Sequence, residues 1–213
     1  MIRPCLYRFC WLWVRGYLVL YHRYRVYNRH RAPLVPGCGM LVASNHCSYI
    51  DPLVIGNAFW HPIWYLARST LFQRSRFFTW LISSLNAIPI SRVRLNVITW
   101  HRVRELCKQG QWVVIFPEGT RSEDGELHKG LAGVGMFANK IGVDIVPVYH
   151  EGTFESWSRY MRFPRPCRIR VNIGSPLKMS QWDHLPDGRP KYQAIADALM
   201  AAIQNLKDEL QNK

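Results

Sequence analysis

The first half of the chain has almost no negative charge. Residues 1–104 contain fourteen arginines, no lysine and one acidic residue, Asp51, and the other acidic residues begin at Glu105. The formal net charge of the 213 residues is +14. A basic surface attracts anions, so two partners fit this half of the chain: a nucleic acid or an anionic membrane leaflet.

The chain also lacks paired cysteines and nucleic-acid-binding motifs. Its six cysteines form no C-x-x-C pair, and its histidines have no metal-type spacing, so no metal site is predicted. A disulfide framework is not expected in so long and basic a chain, and reduced thiols indicate a protein that faces the cytosol. We find no RRM, KH or zinc-finger pattern, and no nucleic-acid partner is therefore predicted.

A membrane-spanning run is absent from the aromatic N-terminal segment, residues 4–27. Arg8 and Arg15 interrupt it, and a spanning helix needs roughly 18–20 apolar residues. No small-residue cleavage site follows, as a signal peptide would require. Arg8, Arg15 and His22 lie seven residues apart and share one stripe of a helix. The opposite face carries Leu6, Cys10, Trp13, Tyr17 and Leu20.

This pattern predicts an amphipathic helix that lies in the membrane plane, with its aromatic side down and its arginines at the lipid headgroups. The alternative is an ordinary helix packed on its own domain. We accordingly divide the chain into a membrane-anchoring helical segment, 1–30, and one domain, 31–213. The predicted location is the cytoplasmic face of a membrane, with monotopic or peripheral attachment. The pattern does not define an oligomeric state.

Beyond residue 30, apolar runs of strand length alternate with stretches of helix length. We predict strands at 40–43, 63–67, 87–90, 112–116, 144–149 and 168–173. Helices are predicted at 52–59, 77–85, 93–109, 131–140 and 191–210. The alternation predicts a single α/β domain with a mostly parallel central sheet flanked by helices. In such sheets the active site lies beyond the carboxyl ends of the strands.

The first polar loop after a predicted strand contains His46 and Asp51. Positions five apart on one helix diverge, so the pair can meet only if a turn carries His46 and Asp51 starts the next helix. A carboxylate bonded to one ring nitrogen fixes the tautomer and raises the basicity of the other nitrogen. As an alternative, Asp51 with Pro52 merely caps that helix. A second alternative makes Cys47 a nucleophile, which would need a different base.

Two further loops follow predicted strands. The loop 116–122, F-P-E-G-T-R-S, combines a flexible glycine with an arginine fork, hydroxyl donors and a carboxylate, which suits a ligand that bears phosphate and hydroxyl groups. Its alternative is a tight turn with a solvated Arg–Glu pair. The loop 86–92 ends in Arg92, for which a second phosphate contact is predicted; the alternative is a solvated arginine at a strand end.

Together these loops resemble the glycerophosphate acyltransferase family, and within it the 1-acylglycerol-3-phosphate acyltransferases. The H-x4-D motif corresponds to His46 and Asp51, and the F-P-E-G-T-R-S motif is matched in full at 116–122. The G-x-I-x-I-x-R block falls at 86–92, with Asn86 in place of glycine, and the V-P-V strand at 146–148. Asparagine tolerates left-handed backbone, so we expect the turn at Asn86 to be kept.

The resemblance implies direct acyl transfer with no cofactor. His46 would act as general base, oriented by Asp51, on the hydroxyl of lysophosphatidic acid at a phospholipid surface. The acyl donor would be acyl-CoA or acyl-carrier protein, as co-substrate. Arg68 stands in a segment where the family often has lysine. The residues implied to bind the acceptor phosphate and glycerol are Arg68, Arg92, Arg121, Glu118, Gly119 and Thr120.

Two other functions stay open at this point. The same chemistry on a different lyso-lipid acceptor is the nearer one, because the arginine at position 68 puts the acceptor headgroup, rather than the reaction, in question. A non-catalytic module that binds lipid or nucleic acid is the more distant one. An intact H-x4-D motif together with F-P-E-G-T-R is difficult to explain in a pure binding protein.

Overall fold

A computed structural model describes residues 4–32, 37–90 and 97–213. Within these ranges the chain forms one seven-stranded sheet. The strands are β1 (Arg25–Tyr27), β2 (Met40–Ser44), β3 (Ile63–Arg68), β4 (Ala87–Ile90), β5 (Trp112–Ile115), β6 (Ile145–Glu151) and β7 (Arg170–Ile173). The α-helices are α1 (Pro4–His22), α2 (Asp51–Ala58), α3 (Arg76–Ser84), α4 (Val97–Lys108), α5 (Ala132–Ile141), α6 (Thr153–Trp157) and α7 (Arg189–Gln211).

The strand order is β1-β7-β6-β2-β5-β3-β4, and every neighbouring pair is parallel except β6 and β7. The prediction of an α/β domain with a mostly parallel sheet is therefore confirmed. Each predicted strand and helix is present with small shifts at its ends, although part of the helix predicted at 93–109 lies outside the described residues. Strand β1 and helix α6 were not predicted, because three and five residues carry too little periodicity to detect.

The two faces of the sheet are apolar and each is covered by helices. In β2, Leu41 and Ala43 belong to one buried cluster, whereas Met40 and Val42 belong to the other. This alternation follows from the two-residue period of a strand, and β5 and β6 repeat it. Helices α4, α5 and α7 contribute to the first cluster, and α1 and α2 to the second. Helices α1 and α4 therefore lie on opposite faces of the sheet.

The inner face of α1 holds two of the three residues of the predicted polar stripe. His22 is fully buried, and its Nε2 lies 3.0 Å from the Tyr17 hydroxyl. The Arg15 guanidinium turns toward α2, where it donates to Asn57 Oδ1 at 3.4 Å and lies over the Tyr24 ring. The predicted headgroup position is thus wrong for Arg15, because α1 packs on α2 at that residue, whereas Arg8 is exposed.

The outer face of α1 is apolar and open to solvent. Trp13 is 68% exposed and Leu20 is 85% exposed, and Tyr17 is exposed as well. Leu6 and Cys10, which we expected on this face, are half-buried. In the described part of the chain, no helix has both the length and the apolar character needed to cross a bilayer.

Asn86 begins the turn into β4 in left-handed backbone. Its φ is 66°, and its side chain is fully buried. The side-chain amide donates to the backbone carbonyl of Ile63 at 3.3 Å, and the backbone carbonyl of Asn86 accepts from the amide of Tyr65 at 3.0 Å. The expected left-handed turn is therefore confirmed, and asparagine here adopts the backbone conformation that glycine adopts most readily.

We predict that Asn86→Ala lowers the free energy of unfolding by about 1–2 kcal/mol, because alanine is strained at positive φ and cannot reach Ile63. Asn86→Gly removes the strain and should cost clearly less. Chemical denaturation of the three proteins measures both values. Equal losses in the two variants would show that the backbone conformation at this position is not what asparagine provides.

Candidate active site

His46 and Asp51 meet across the turn between β2 and α2. The Nδ1 atom of His46 lies 2.8 Å from Oδ2 of Asp51. An ionised carboxylate only accepts hydrogen bonds, so Nδ1 carries the proton and the Nε2 lone pair is left free. The same Oδ2 accepts from the backbone amides of Cys47 and Ser48, at 2.7 Å each.

The contacts of Asp51 decide the helix-cap alternative. The helix begins at Asp51 itself, its N-cap is Ile50, and the N-cap side chain makes no capping hydrogen bond. The Asp51 carboxylate turns back to the amides of residues 47 and 48 and not forward into the helix. Asp51 was expected at the N-cap, which is wrong by one residue. Its carboxylate fixes the preceding turn, the turn that carries His46.

The charge of Asp51 is kept in a fully buried position. Burial alone would raise the pKa of this carboxyl, but His150, the hydrogen bond from His46 and the amide of Ser48 outweigh it and leave the pKa below its usual value. The position at the start of α2 adds the positive end of the helix dipole. Asp51 is therefore an anion at neutral pH and can stabilise a proton on His46.

Phe116 covers one face of the His46 ring, whereas the edge that carries Nε2 is accessible. Phe116 stacks against it with ring centroids 3.9 Å apart and planes 16° from parallel. The side chain is 19% exposed. Among the described residues no protein atom bonds to Nε2, so this nitrogen can accept a proton from a bound hydroxyl.

Glu118 holds the loop of His46 to the loop after β5. Its Oε1 accepts from the backbone amide of His46 at 2.9 Å, and its Oε2 accepts from the amide of His128 at 3.4 Å. The amide of Ser122 donates to the carbonyl of His46 at 2.7 Å. Burial raises the pKa of Glu118 to about 7, although both amides favour the carboxylate. Its predicted contact with glycerol stays a prediction; the structure adds a contact that sets the backbone of His46.

The rest of this loop lies beside the dyad. Gly119 and Thr120 are exposed, and Gly119 has a φ of 70°. The Arg121 guanidinium stacks on the ring of Tyr49, 3.8 Å from the ring centroid. Because Tyr49 belongs to the His46 loop, this contact brings Arg121 to the same opening as His46.

A positive field surrounds Tyr49. The pKa of its exposed phenol is lowered first by a hydrogen bond to Arg121 and by the charge of Arg121, and then by the charges of Arg159 and Arg74. Arg159 also pairs with Glu123 at 2.8 Å and donates to the carbonyl of Arg121. Three arginines from three segments therefore act at the mouth of this site, and an anionic ligand would be attracted to it.

The remaining predicted arginines fall at the same edge of the sheet or outside the described residues. Arg68 is the last residue of β3 and is half-buried. Strand β3 runs parallel to β5, so Arg68 shares the carboxyl edge with the loop after β5. Arg92 lies outside the described residues, two positions beyond the end of β4 at Ile90.

Cys47 is not placed as a nucleophile. It is 4% exposed, and its Sγ lies 3.1 Å from the Thr153 hydroxyl. Burial and the nearby charge of Asp51 raise its pKa, so the reactive thiolate is disfavoured. Cys47, Asp51 and His150 offer metal-ligand atoms within 4.8 Å of one another, and hydrogen bonds within the protein already engage the Cys47 thiol and Oδ2 of Asp51. A metal-free site stays a prediction.

His150 and Thr153 were not identified from the sequence. His150 is fully buried, and its Nε2 lies 3.6 Å from Oδ1 of Asp51. Its Nδ1 lies 3.2 Å from the Thr153 hydroxyl. One signal was available: His150 stands at the carboxyl end of β6, where parallel sheets place their sites. The predicted strand ended at residue 149 and so excluded it.

The sequence is similar to those of known acyltransferases. The family model described as acyltransferase matches residues 23–151. The 1-acyl-sn-glycerol-3-phosphate acyltransferase of Bacillus subtilis (strain 168) is 26% identical over 207 residues, which are 96% of this chain and 98% of that protein. A chloroplast protein of the same name from Arabidopsis thaliana is 35% identical over 115 residues, 52% of this chain and 31% of that protein.

A solved structure shares the fold. The crystal structure of the 1-acyl-sn-glycerophosphate acyltransferase PlsC from Thermotoga maritima aligns with a TM-score of 0.74 and 21% identity. The alignment covers 96% of this chain and 83% of that one. At this identity the likeness concerns the fold alone.

The raised pKa of Glu118 predicts a pH-dependent stability. Because the folded-state pKa of about 7 lies above the ordinary value of 4.5, the protonated form is favoured by folding, and this contribution is lost as the pH rises from about 4.5 through about 7. Glu118→Gln should remove that part of the loss. Thermal unfolding of the native protein and of Glu118→Gln between pH 5 and pH 8 measures this difference. If the unfolding temperatures of the two proteins changed with pH in the same way, the raised pKa of Glu118 would be contradicted.

Proposed function

The chain belongs to the acyltransferase family, and from this premise we propose that it transfers a fatty acyl group to the free hydroxyl of 1-acylglycerol-3-phosphate. The product would be phosphatidic acid. The names of the relatives support this acceptor. The observation that carries the proposal is the short contact between His46 Nδ1 and Asp51 Oδ2, which leaves Nε2 free at the opening.

The proposed reaction needs no covalent acyl-enzyme. Nε2 of His46 takes the proton of the acceptor hydroxyl while the hydroxyl oxygen attacks the thioester carbonyl carbon of the donor. Asp51 stabilises the imidazolium that forms. The tetrahedral intermediate then collapses, the C–S bond breaks, and the imidazolium of His46 gives its proton to the leaving thiolate, which restores the free base. Acyl-CoA and acyl-carrier protein are the donors to be compared, and holding donor and acceptor together provides much of the rate.

Charge at the opening favours a phosphate-bearing acceptor. Arg121 is stacked on Tyr49, and Arg159 and Arg74 act on the same phenol. Guanidinium forks bind phosphate oxygens in pairs, so this field would hold the phosphate while the free hydroxyl reaches His46. Residues proposed to contribute further contacts to the phosphate and glycerol are Arg68, Arg92, Glu118, Gly119 and Thr120.

The outer face of α1 supports attachment to a membrane surface. Phe9, Leu12, Trp13 and Leu20 are each more than half exposed, and Arg8 stands beside them. Aromatic and aliphatic side chains with a neighbouring arginine suit a helix that lies at the boundary between headgroups and acyl chains. We therefore place the protein at a phospholipid surface, where a lysophospholipid acceptor resides.

The function is tested by release of free CoA from acyl-CoA in the presence of lysophosphatidic acid. We expect His46→Gln to reduce the rate by at least about 10²–10⁴-fold, the usual contribution of a general base, with circular dichroism unchanged. The exposed histidine His184 provides the matched control, because His184→Gln alters a side chain far from the dyad in sequence and should leave the rate unchanged. A purified His46→Gln protein with normal activity would exclude this base.

The same assay separates the alternatives. Acyl-carrier protein in place of CoA tests the donor, and lysophospholipids that bear other headgroups test the acceptor. A preference for another lyso-lipid would retain the chemistry and change the substrate. Absence of transfer with every donor and acceptor would indicate a binding module.

Membrane attachment is tested by point substitution, since removing residues 1–27 would also take away α1, which covers α2, and β1, which belongs to the sheet. We expect Trp13→Ser with Leu20→Ser to reduce flotation with vesicles that contain phosphatidylglycerol. Ile98→Ser on α4, at a side chain 72% exposed on the opposite face of the sheet, is the matched control. Unchanged flotation of the α1 variant would show that this face is not the attachment.

A further inference from the structure

Asn45 and His150 form a reciprocal set of three hydrogen bonds. The amide of His150 donates to Oδ1 of Asn45 at 3.0 Å, and Nδ2 of Asn45 donates to the carbonyl of His150 at 2.9 Å. The ring nitrogen Nε2 of His150 lies 2.9 Å from the carbonyl of Asn45. The register of β2 and β6 pairs Ser44 with Val148. These bonds therefore connect the segments that follow β2 and end β6, just beyond the last paired residues of the two strands. Asn45 is the residue directly before His46.

The partners of His150 define its tautomer. A backbone carbonyl accepts hydrogen bonds and never donates them, so Nε2 of His150 carries a proton. The Thr153 hydroxyl, 3.2 Å from Nδ1, then donates to that nitrogen. The Cys47 thiol, 3.1 Å from the same hydroxyl oxygen, can donate in turn. Every donor in this chain of bonds thus has an acceptor with the ring uncharged, and burial lowers the pKa of His150 in the same direction.

The second oxygen of Asp51 faces this ring. The three hydrogen bonds that the Asp51 carboxylate accepts all involve the other oxygen, Oδ2. Among the described residues, the buried Oδ1 has no hydrogen-bond partner, and Nε2 of His150 is 3.6 Å away. Because the proton on Nε2 is donated to the carbonyl of Asn45, the ring faces Oδ1 without a hydrogen bond and, when uncharged, adds no second positive charge beside Asp51. A charged imidazolium would instead compete with His46 for Asp51.

We propose that His150 is a positioning residue for acyl transfer, which fixes the turn of His46 through Asn45 and places an uncharged ring beside Asp51. The proposal rests on the proposed function, in which His46 is the base. His150 touches neither substrate, because it is fully buried. Its contribution is geometric: the base must stand in line with a bound hydroxyl, and displacements near 1 Å can cost on the order of 10²-fold in rate.

Two substitutions separate positioning from simple packing. His150→Phe fills the ring volume but removes both nitrogens, whereas His150→Gln keeps an amide N–H that can reach the carbonyl of Asn45. We expect His150→Phe to lower kcat by about 10–100-fold with the KM for lysophosphatidic acid unchanged, because the acceptor arginines are untouched. His150→Gln should recover most of that loss. Circular dichroism and thermal unfolding verify the fold of each variant.

Equal kcat for His150→Phe and the native chain would overturn the proposal. It would also be overturned if His150→Gln lost as much kcat as His150→Phe, since packing alone would then explain the effect. If His150→Phe does not fold, Thr153→Val takes its place: it leaves the ring but removes the hydroxyl that donates to Nδ1 of His150. We expect a several-fold fall in kcat, and an unchanged kcat would count against the role of His150.

A chemical readout distinguishes failure of this proposal from failure of the proposed function. Diethylpyrocarbonate acylates the free imidazole nitrogen, and mass spectrometry of the His46 peptide follows the rate on the full chain without any substrate. Positioning predicts slower modification of His46 in His150→Phe than in His150→Gln or the native chain. Equal rates would overturn the proposal even if acyl transfer is observed. Slower modification would support it even if no acyl transfer is found.

Discussion

The buried negative charge of Asp51 is the constraint on which the rest of the site depends. A carboxylate removed from water costs several kcal/mol unless hydrogen bonds and positive charge replace its hydration. Three donors meet on one of its oxygens: the ring of His46 and the amides of Cys47 and Ser48. Those donors can converge only if residues 46–48 form a tight turn. The charge therefore selects the local backbone, and the backbone aims the free nitrogen of His46 at the opening.

The strand order brings to His46 the contacts from other segments that the turn itself does not provide. Strand β2 lies between β5 and β6, and all three run in the same direction, so their carboxyl ends meet at one edge. The loop after β5 contributes Phe116 and Glu118, which contact the ring and the amide of His46. The end of β6 contributes His150. The orientation of His46 is thus held from both neighbouring strands, by side chains at least 70 residues away in sequence.

The sequence predicted those parts of the site that are local, and missed those that depend on packing. Asp51 stood out because it is the sole acid in a basic half, and a turn was the sole way to bring it to His46. His150 gave no such sign, since its importance comes from pairing between β2 and β6. Arg15 was misplaced for a related reason: an arginine stripe indicates an exposed face, yet the guanidinium can stack on buried Tyr24 and bond to Asn57.

The single acidic residue of the N-terminal half and two of its arginines lie at opposite ends of α2. Its first residue is Asp51, where the helix dipole is positive. At its other end, Arg29 donates to the carbonyl of Ala58 at 2.8 Å, and Arg15 donates to the side chain of Asn57. Cations at the negative end and an anion at the positive end both stabilise the helix. Because Arg15 belongs to α1, its contact with this end orients α1 on the domain, and that orientation leaves Trp13 and Leu20 facing outward. The helix that carries the buried acid thereby also determines which face of α1 is exposed.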